Sequence, residues 1–300
     1  MPSPTEWPEL RIADWRETYA TLLLYSQIIG KIRLALAPKT NQWWNVTLYV
    51  TARGLTTSPM PLSDRILSID LDFVDHRVVV QDSLGNVRSL ALGPRAVCIF
   101  YGELMTTLSG IGVDVRIWPQ PQECSVTTPF TEDRGHAHYD RAAVQNFWQA
   151  LRRVEPVFQK FRSGFRGKCS PVHFFWGGFD LAVTRFVGRR APLRKGKVDR
   201  DAYDEEVISL GFWPGDPWTP SGGSEALFYS YTVPEPAGLS AAAVRPDAAS
   251  WHPTLKEFVL PYEDVRRASD PAAAILAFAQ STYDAGATLA GWNREALAYP

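Results

Sequence analysis

The spacing of apolar residues changes several times along this chain, and each change marks an element. Leu22, Leu23, Tyr25, Ile28, Ile29 and Ile32 recur at helical spacing. Asp14, with Glu17 three residues on, has capping-box spacing and predicts the helix start, and Pro38 stops it. "WWNVTLYVTARGL" is rich in β-branched and aromatic residues and reads as a strand. "ILSIDLDFV" alternates apolar and acidic positions, a strand with two unlike faces. "RVVVQD" and "VRSLAL" flank Ser83 to Asn86 as a hairpin. A second helix opens after Gly93-Pro94 and ends near Leu108, and "VDVRIW" reads as a short strand.

The period is then lost over residues 119–139, which are rich in Pro, Thr and charge. Asp140 caps a long helix whose buried side carries Phe147, Trp148, Leu151, Val154, Val157, Phe158 and Phe161, with Pro156 inside it. "SPVHFFWGGFDLAVTRF", residues 170–186, reads as one central strand with Gly177-Gly178 as a bulge. A Gly- and Pro-rich excursion covers 189–223. "ALFYSYTV" and "EFVLPY" are strands, and Asp270 caps a last helix with Pro271 in its first turn.

The order long helix, aromatic strand, further strands, helix thus occurs twice. A shift of about 132 residues sets Trp15 on Phe147, Trp44 on Trp176 and Arg53 on Arg185, the pattern of an internal duplication. The expected fold is α+β: two pseudo-repeats of helix, antiparallel strands and helix, each sheet with helices on one face. The boundaries are 1–118 for the N-terminal repeat, 119–139 for the linker and 140–300 for the C-terminal repeat, together one compact unit.

Composition narrows the function classes. At 300 residues and 45% hydrophobic, the chain can bury a substantial core. A net charge of −1 argues against nucleic acid or an anionic membrane as partner. The basic run Arg189, Arg190, Arg194, Lys195, Lys197 is answered by acidic residues from Asp199 to Glu206 and reads as a solvated loop. Three separated cysteines make neither a CxxC pair nor a disulfide framework. The first ten residues lack signal-peptide regions and no apolar run approaches ~18 residues, so a cytoplasmic protein is expected. Eleven tryptophans suit a core or the wall of a pocket for a flat ligand.

"WWNVTLYVTARGLTTSP", "DLDFVDH", "GKCSPVHFFWGGFDLAVTRF", "GFWPG" and "LPY" resemble a bacterial family defined as a domain of unknown function, number fifty-nine ninety-six. The resemblance spans nearly the whole chain and implies a family but no activity. The family pattern has histidines where this chain reads Asn45 and Asp204-Glu205-Glu206.

Three groups of residues are candidates for chemistry. Asp70 and Asp72 share a strand face roughly 6.5–7 Å apart, with Asp75 and His76 at the strand end. Such carboxylates divide acid and base work, hold a divalent ion, or are simply solvated or neutralised by Arg53. In the second group Asp180 and Thr184 flank the small Ala182, like a pocket floor, while Leu181, Val183 and Arg185 face the other way. His173 and Asp180 there are either functional or satisfied within the fold. Third, His136 and His138 alternate in the linker and are a weak metal alternative. No GxGxxG, GxxxxGK[ST] or GxSxG stretch is present, so dinucleotide, P-loop and nucleophile-elbow chemistry are not expected.

The expected function is a small-molecule enzyme with an aromatic cleft between the halves and metal-independent acid–base chemistry: isomerisation, elimination, ring closure or hydrolysis. Its catalytic candidates are Asp70, Asp72, His76, His173 and Asp180. Arg53 and Arg185 would hold an anionic group, and Tyr49, Trp44, Trp176 and Trp213 would line the pocket. No cofactor is predicted, and a homodimer is compatible with the sequence. The alternatives are a non-catalytic binding or assembly protein, and a metal-dependent hydrolase using His136 and His138.

Overall fold

A computed structural model describes residues 7–218 and 225–299. Among them are seven α-helices and two six-stranded antiparallel sheets, an α+β fold. In chain order the elements are α1 (Ile12–Leu36), β1 (Tyr49–Val50), β2 (Gly54–Thr56), β3 (Met60–Pro61), β4 (Ile66–Asp72), β5 (Arg77–Asp82), β6 (Val87–Ala91) and α2 (Val97–Ser109). There follow α3 (Arg141–Ser163), β7 (His173–Phe175), β8 (Asp180–Arg190), α4 (Lys197–Ala202), β9 (Glu205–Trp213), β10 (Leu227–Val233), β11 (Ser250–His252), β12 (Glu257–Pro261), α5 (Tyr262–Arg267), α6 (Pro271–Leu289) and α7 (Arg294–Leu297).

The long helices start where local chemistry says they should, with one exception. Asp140 accepts the N–H groups of Ala142 and Ala143 at 2.7 and 3.0 Å, and Asp270 accepts that of Ala273 at 2.9 Å. At α1 the cap position is Arg11, with no side-chain bond, and Asp14 lies in the first turn as the 2.8 Å ion-pair partner of Arg11. The α1 helix is buried around most of its circumference, polar Thr18, Ser26, Gln27, Lys31 and Arg33 included, because elements of both halves pack on it.

The first sheet has strand order β1-β2-β4-β5-β6, with β3 also on β4, and the second runs β11-β12-β10-β9-β8-β7. They meet edge to edge where Leu48 and Phe174 exchange both backbone bonds, at 2.9 and 2.8 Å. Core contacts also cross the expected boundary: Phe73 of the first half packs edge-on to Phe147 of α3, at 6.4 Å. Residues 113–140 contain no helix or strand, so "VDVRIW" is not a strand. Its alternation is nevertheless real: Val113 and Val115 are buried and Asp114 and Arg116 exposed, an extended segment lying on the core without a ladder partner.

Residues 170–186 are not one strand either. They form the hairpin β7, a turn at Trp176 to Phe179, and β8, with His173 opposite Ala182 and Phe175 opposite Asp180. Phe179 holds the turn at φ 61°. The excursion read at 189–223 in fact contains α4 and the central strand β9, and its residues 219–223 lie outside the described ones. Each half runs from a long helix through antiparallel strands to a further helix, but α4 interrupts the second half and the 132-residue equivalences of Trp44 and Arg53 fail. Trp44 precedes β1 whereas Trp176 follows β7, and Arg53 is in a turn whereas Arg185 is inside β8.

Helices α3, α5 and α6 cover one face of the second sheet. There Phe158 meets Phe228, and Gly286 lies against Ile208 and Thr232. Strand parity sends Asp180, Ala182, Thr184, Ser209, Gly211, Tyr229, Tyr231, Glu257 and Val259 to the opposite face. Phe186, Val207, Trp213 and Leu227 share that face, so it mixes polar and apolar residues, and it carries the candidate site.

Candidate functional site

Asp180 opens β8 half-buried, and the Tyr229 hydroxyl of β10 donates to its carboxylate across the intervening strand. The strand between them carries Gly211, opposite both Ala182 and Tyr229. A Cβ at that glycine would run into the Tyr229 ring, so its absence lets the tyrosine lie flat and reach the aspartate. Tyr231 stacks beside Tyr229 with ring centres 6.1 Å apart and planes 3° from parallel, and its hydroxyl lies 3.3 Å from that of Tyr203. Trp213 ends β9 on the same face, and two residues on the Gly215 carbonyl accepts the Tyr19 hydroxyl at 2.9 Å.

Two further carboxylates approach. Glu123 is exposed as a residue, but its carboxylate lies over Gly177, where an added Cβ would sit 2.6 Å from Oε1. Glu257 comes from β12, on the same face as Tyr231. Among the described residues, none of Asp180, Glu123 and Glu257 has an ion-pair partner. Burial pushes the Asp180 carboxyl up to about 7; the Glu123 charge adds to this and the Tyr229 hydrogen bond opposes it. Burial, then the Asp180 charge, pushes Glu257 up to about 7. Burial of its head group, then Asp199, raises Glu123. The tyrosines stay neutral, since burial raises Tyr229 and Tyr231 further above their ordinary value. Such a face can give or take a proton near neutrality while its hydroxyls hold an oxygen or nitrogen of a bound molecule.

A family model described as a family of unknown function, DUF5996, matches residues 7–299. The chain belongs to this family. No curated protein matches it, and no solved structure does. At the positions where the resemblance implies family histidines, this chain has residues already engaged. Asn45 accepts the Thr40 N–H at 3.2 Å, Asp204 accepts Gln42 at 2.6 Å, Glu205 pairs with Lys168 and Glu206 with Arg189.

The residues predicted from the first half do not join Asp180. Asp72 accepts Val74 and Asp75 N–H at 3.0 and 3.1 Å, and Arg53 and Arg77 Nε at 2.9 and 3.3 Å. Burial alone would raise it; the Asp75 N–H, Arg53 and the Val74 N–H together hold it below the usual carboxylate range. The same two arginines pair with Asp75, so Arg53 is a structural counter-charge and not an anion holder. Asp70 accepts Gln81 at 3.0 Å. His76 is buried with Nδ1 2.9 Å from the Tyr139 hydroxyl, and burial, then Arg141, lowers it.

In the second half, Arg185 lies on the helix-covered face, opposite to Asp180. Its guanidinium is 3.6 Å from the Phe161 ring centre and donates to the Phe161 carbonyl, so it holds α3 to the sheet and cannot reach a ligand beside Asp180. His173 is buried among Trp44, Tyr49 and Phe175, all edge-on at 5.5–5.7 Å. Burial, then Arg33 and Arg162, pulls it down to about 3, too weak a base for catalysis near neutrality. The Arg33 guanidinium lies 5.6 Å from the Tyr49 ring centre, Trp44 packs on Phe186, and Trp176 donates to the Val46 carbonyl at 2.7 Å. These aromatics build the junction of the sheets instead of a ligand wall. His136 and His138 bond to Asp133 and Thr18, at 2.7 and 2.9 Å, and do not converge. No group of three or more His, Cys, Asp or Glu among the described residues is placed to hold a metal.

Sequence reasoning names Asp180 but not the residues the structure sets beside it, Tyr229, Tyr231, Glu257 and Glu123. The alternation in "FYSYT", with tyrosines on one parity and Phe228, Ser230 and Thr232 on the other, was the available signal. Nothing local marks Glu123. Two open surface depressions, one along α2 by Cys98 and Glu103 and one along α6 by Arg245 and Ser281, do not touch this site.

Proposed function

We propose that the face of the second sheet turned away from α3, α5 and α6 is a small-molecule site for metal-independent acid–base chemistry, with Asp180 as the proton-transferring group. Tyr229 holds the Asp180 carboxyl and Glu257 is the second carboxyl of the site. Tyr231 and Trp213 lie beside a bound molecule, whose class is neutral or cationic, since three carboxyls without a cation repel an anion. The reaction is an isomerisation, elimination, ring closure or hydrolysis. The observation that carries this reading is the partner of Asp180: a neutral hydroxyl, with two more carboxyls near and no arginine or lysine paired to it. Structural carboxylates in the same chain are tied to cations, as Asp72 is. A group poised near the working pH is what general acid–base catalysis requires.

The test is a carbon-13 titration of the carboxyls, with Asp180→Asn assigning the resonance. A midpoint for Asp180 near 7 is expected. A midpoint near the ordinary ~4 sinks the catalytic reading and leaves a binding face.

A further inference from the structure

Strand β6 forms one border of the first sheet, and its outer edge has no strand partner among the described residues. Two bonds fix which of its residues turn outward. The Asp82 N–H donates to the Asn86 carbonyl at 3.0 Å, and the Leu92 N–H donates to the His76 carbonyl at 2.7 Å. Antiparallel ladders alternate, so Asn86, Arg88, Leu90 and Leu92 bond toward β5, while Val87, Ser89 and Ala91 present their N–H and C=O groups to the outside. The strand is five residues long, in unbroken register with β5, and holds no proline. By contrast β3 is two residues ending in Pro61, β11 is three residues long, and β1 and β7 close on each other. A regular border left bare is a template for pairing.

We propose that a second copy of the chain covers this border, β6 against β6 about a two-fold axis, joining the two first sheets into one. A pairing centred on Ser89 sets Ser89 on Ser89 and Val87 on Ala91, so each outward residue exchanges two backbone bonds with its opposite. The side chains fit this register. Arg88 falls opposite Leu90 of the second copy, on the face where Leu90, Cys98, Ile99, Gly102 and Glu103 line an open groove between β6 and α2. Arg88 has no carboxylate partner among the described residues and donates to the Val87 carbonyl at 3.0 Å. Glu103 is the carboxylate of the groove, and its own partner is Arg95. Each Arg88 thus enters the other copy's groove beside a carboxylate. Exposed apolar side chains gather at the same border: Leu84, Val87 and Ile99 are 60, 59 and 45% exposed.

A second copy fits better than a foreign peptide because the border is its own complement. The small Ser89 stands at the centre of the outward residues, and the cation and carboxylate that must meet lie on one chain. A pairing centred on Arg88 instead would set two guanidiniums directly opposite, which like charges disfavour. The Asp180 face lies on the other sheet and takes no part.

Analytical ultracentrifugation of the whole chain at about 50 μM is expected to give twice the 33.6 kDa monomer mass. Ser89→Pro removes the central outward N–H and no bond to β5, so the chain should keep its circular dichroism and sediment as a monomer. Ser89→Cys sets two thiols across the axis with Cα atoms about 5.5 Å apart, within disulfide reach, and mild oxidation should link two chains at position 89. Arg88→Glu, which meets Glu103, should weaken the dimer about tenfold. A wild-type monomer at that concentration overturns the proposal, and so does an extended peptide found to occupy β6 in its place. A dimer that survives Ser89→Pro, or that Ser89→Cys does not cross-link, overturns it too, since the interface then lies elsewhere. The cross-link alone decides if Ser89→Pro does not fold.

Discussion

Asp72 and Asp180 stand in similar places with opposite company. Each lies on a strand of an antiparallel sheet, on the face away from its apolar neighbours: Leu71 and Phe73 for one, Phe179 and Leu181 for the other. Asp72 receives two backbone N–H groups and two arginines, and Asp180 receives a tyrosine hydroxyl and two carboxyls. Burial raises both; only Asp72 has donors that outweigh it. What separates the two is their donors: the N–H groups of the turn after β4 and two arginines for Asp72, and one tyrosine hydroxyl from β10 for Asp180.

The contrast has a sign in solution. The Asp72 carboxyl is held below its unfolded value, so its stabilisation is full above about pH 4 and is lost as pH falls through the folded value. Asp180 is held above its unfolded value. Its proton stabilises the native state fully below about pH 4, and that contribution is lost as pH rises through about 7. Glu257 acts in the same direction over the same window.

The comparison breaks most visibly at Asp72. Asp72→Asn is expected to cost about 2 kcal/mol at pH 7, roughly 4 °C in Tm, by weakening the acceptor of two backbone N–H groups and of two arginines that then keep Asp75 alone. Chemical denaturation measures it, and a neutral result would mean the ion pairs are ornamental. Gly211→Ala should cost about 2 kcal/mol, since the new methyl displaces the Tyr229 ring, and should move the Asp180 titration with it. Asp180→Asn should do the reverse of Asp72→Asn: no change at pH 4, and a gain of about 1 kcal/mol at pH 8. A loss as large as that of Asp72→Asn would make both carboxylates structural. The smallest effect belongs to Tyr229→Phe, roughly 0.5–1 kcal/mol at pH 8 from a lost hydrogen bond. Carbon-13 titration should then show Asp180 higher still, because that bond favours its charged form.

Local signals were read correctly where the deciding physics is local. The caps at Asp140 and Asp270 and the parity of β4 and β8 each depend on a few adjacent residues. At Trp176 to Phe179 the Gly-Gly pair suits a bulge and a hairpin turn alike, and Phe179 gives no hint of its left-handed backbone. Strand β9 was hidden because Gly211 and the surrounding Gly and Pro residues read as loop; that glycine is there for Tyr229. Asp180 was legible from its own strand, and parity also set Arg185 on the other face, which rules the two out of one site. Tyr229 lies 49 residues along, and only sheet order brings it to the aspartate.

The paired backbone bonds between Leu48 and Phe174 also bear on solubility. A terminal strand with free N–H and C=O groups is a template for another chain. At this seam each half blocks the other's open border, β1 against β7. Separated by proteolysis in the 119–139 segment, the halves would each bare an adhesive margin; aggregation, rather than two folded pieces, is the outcome to expect.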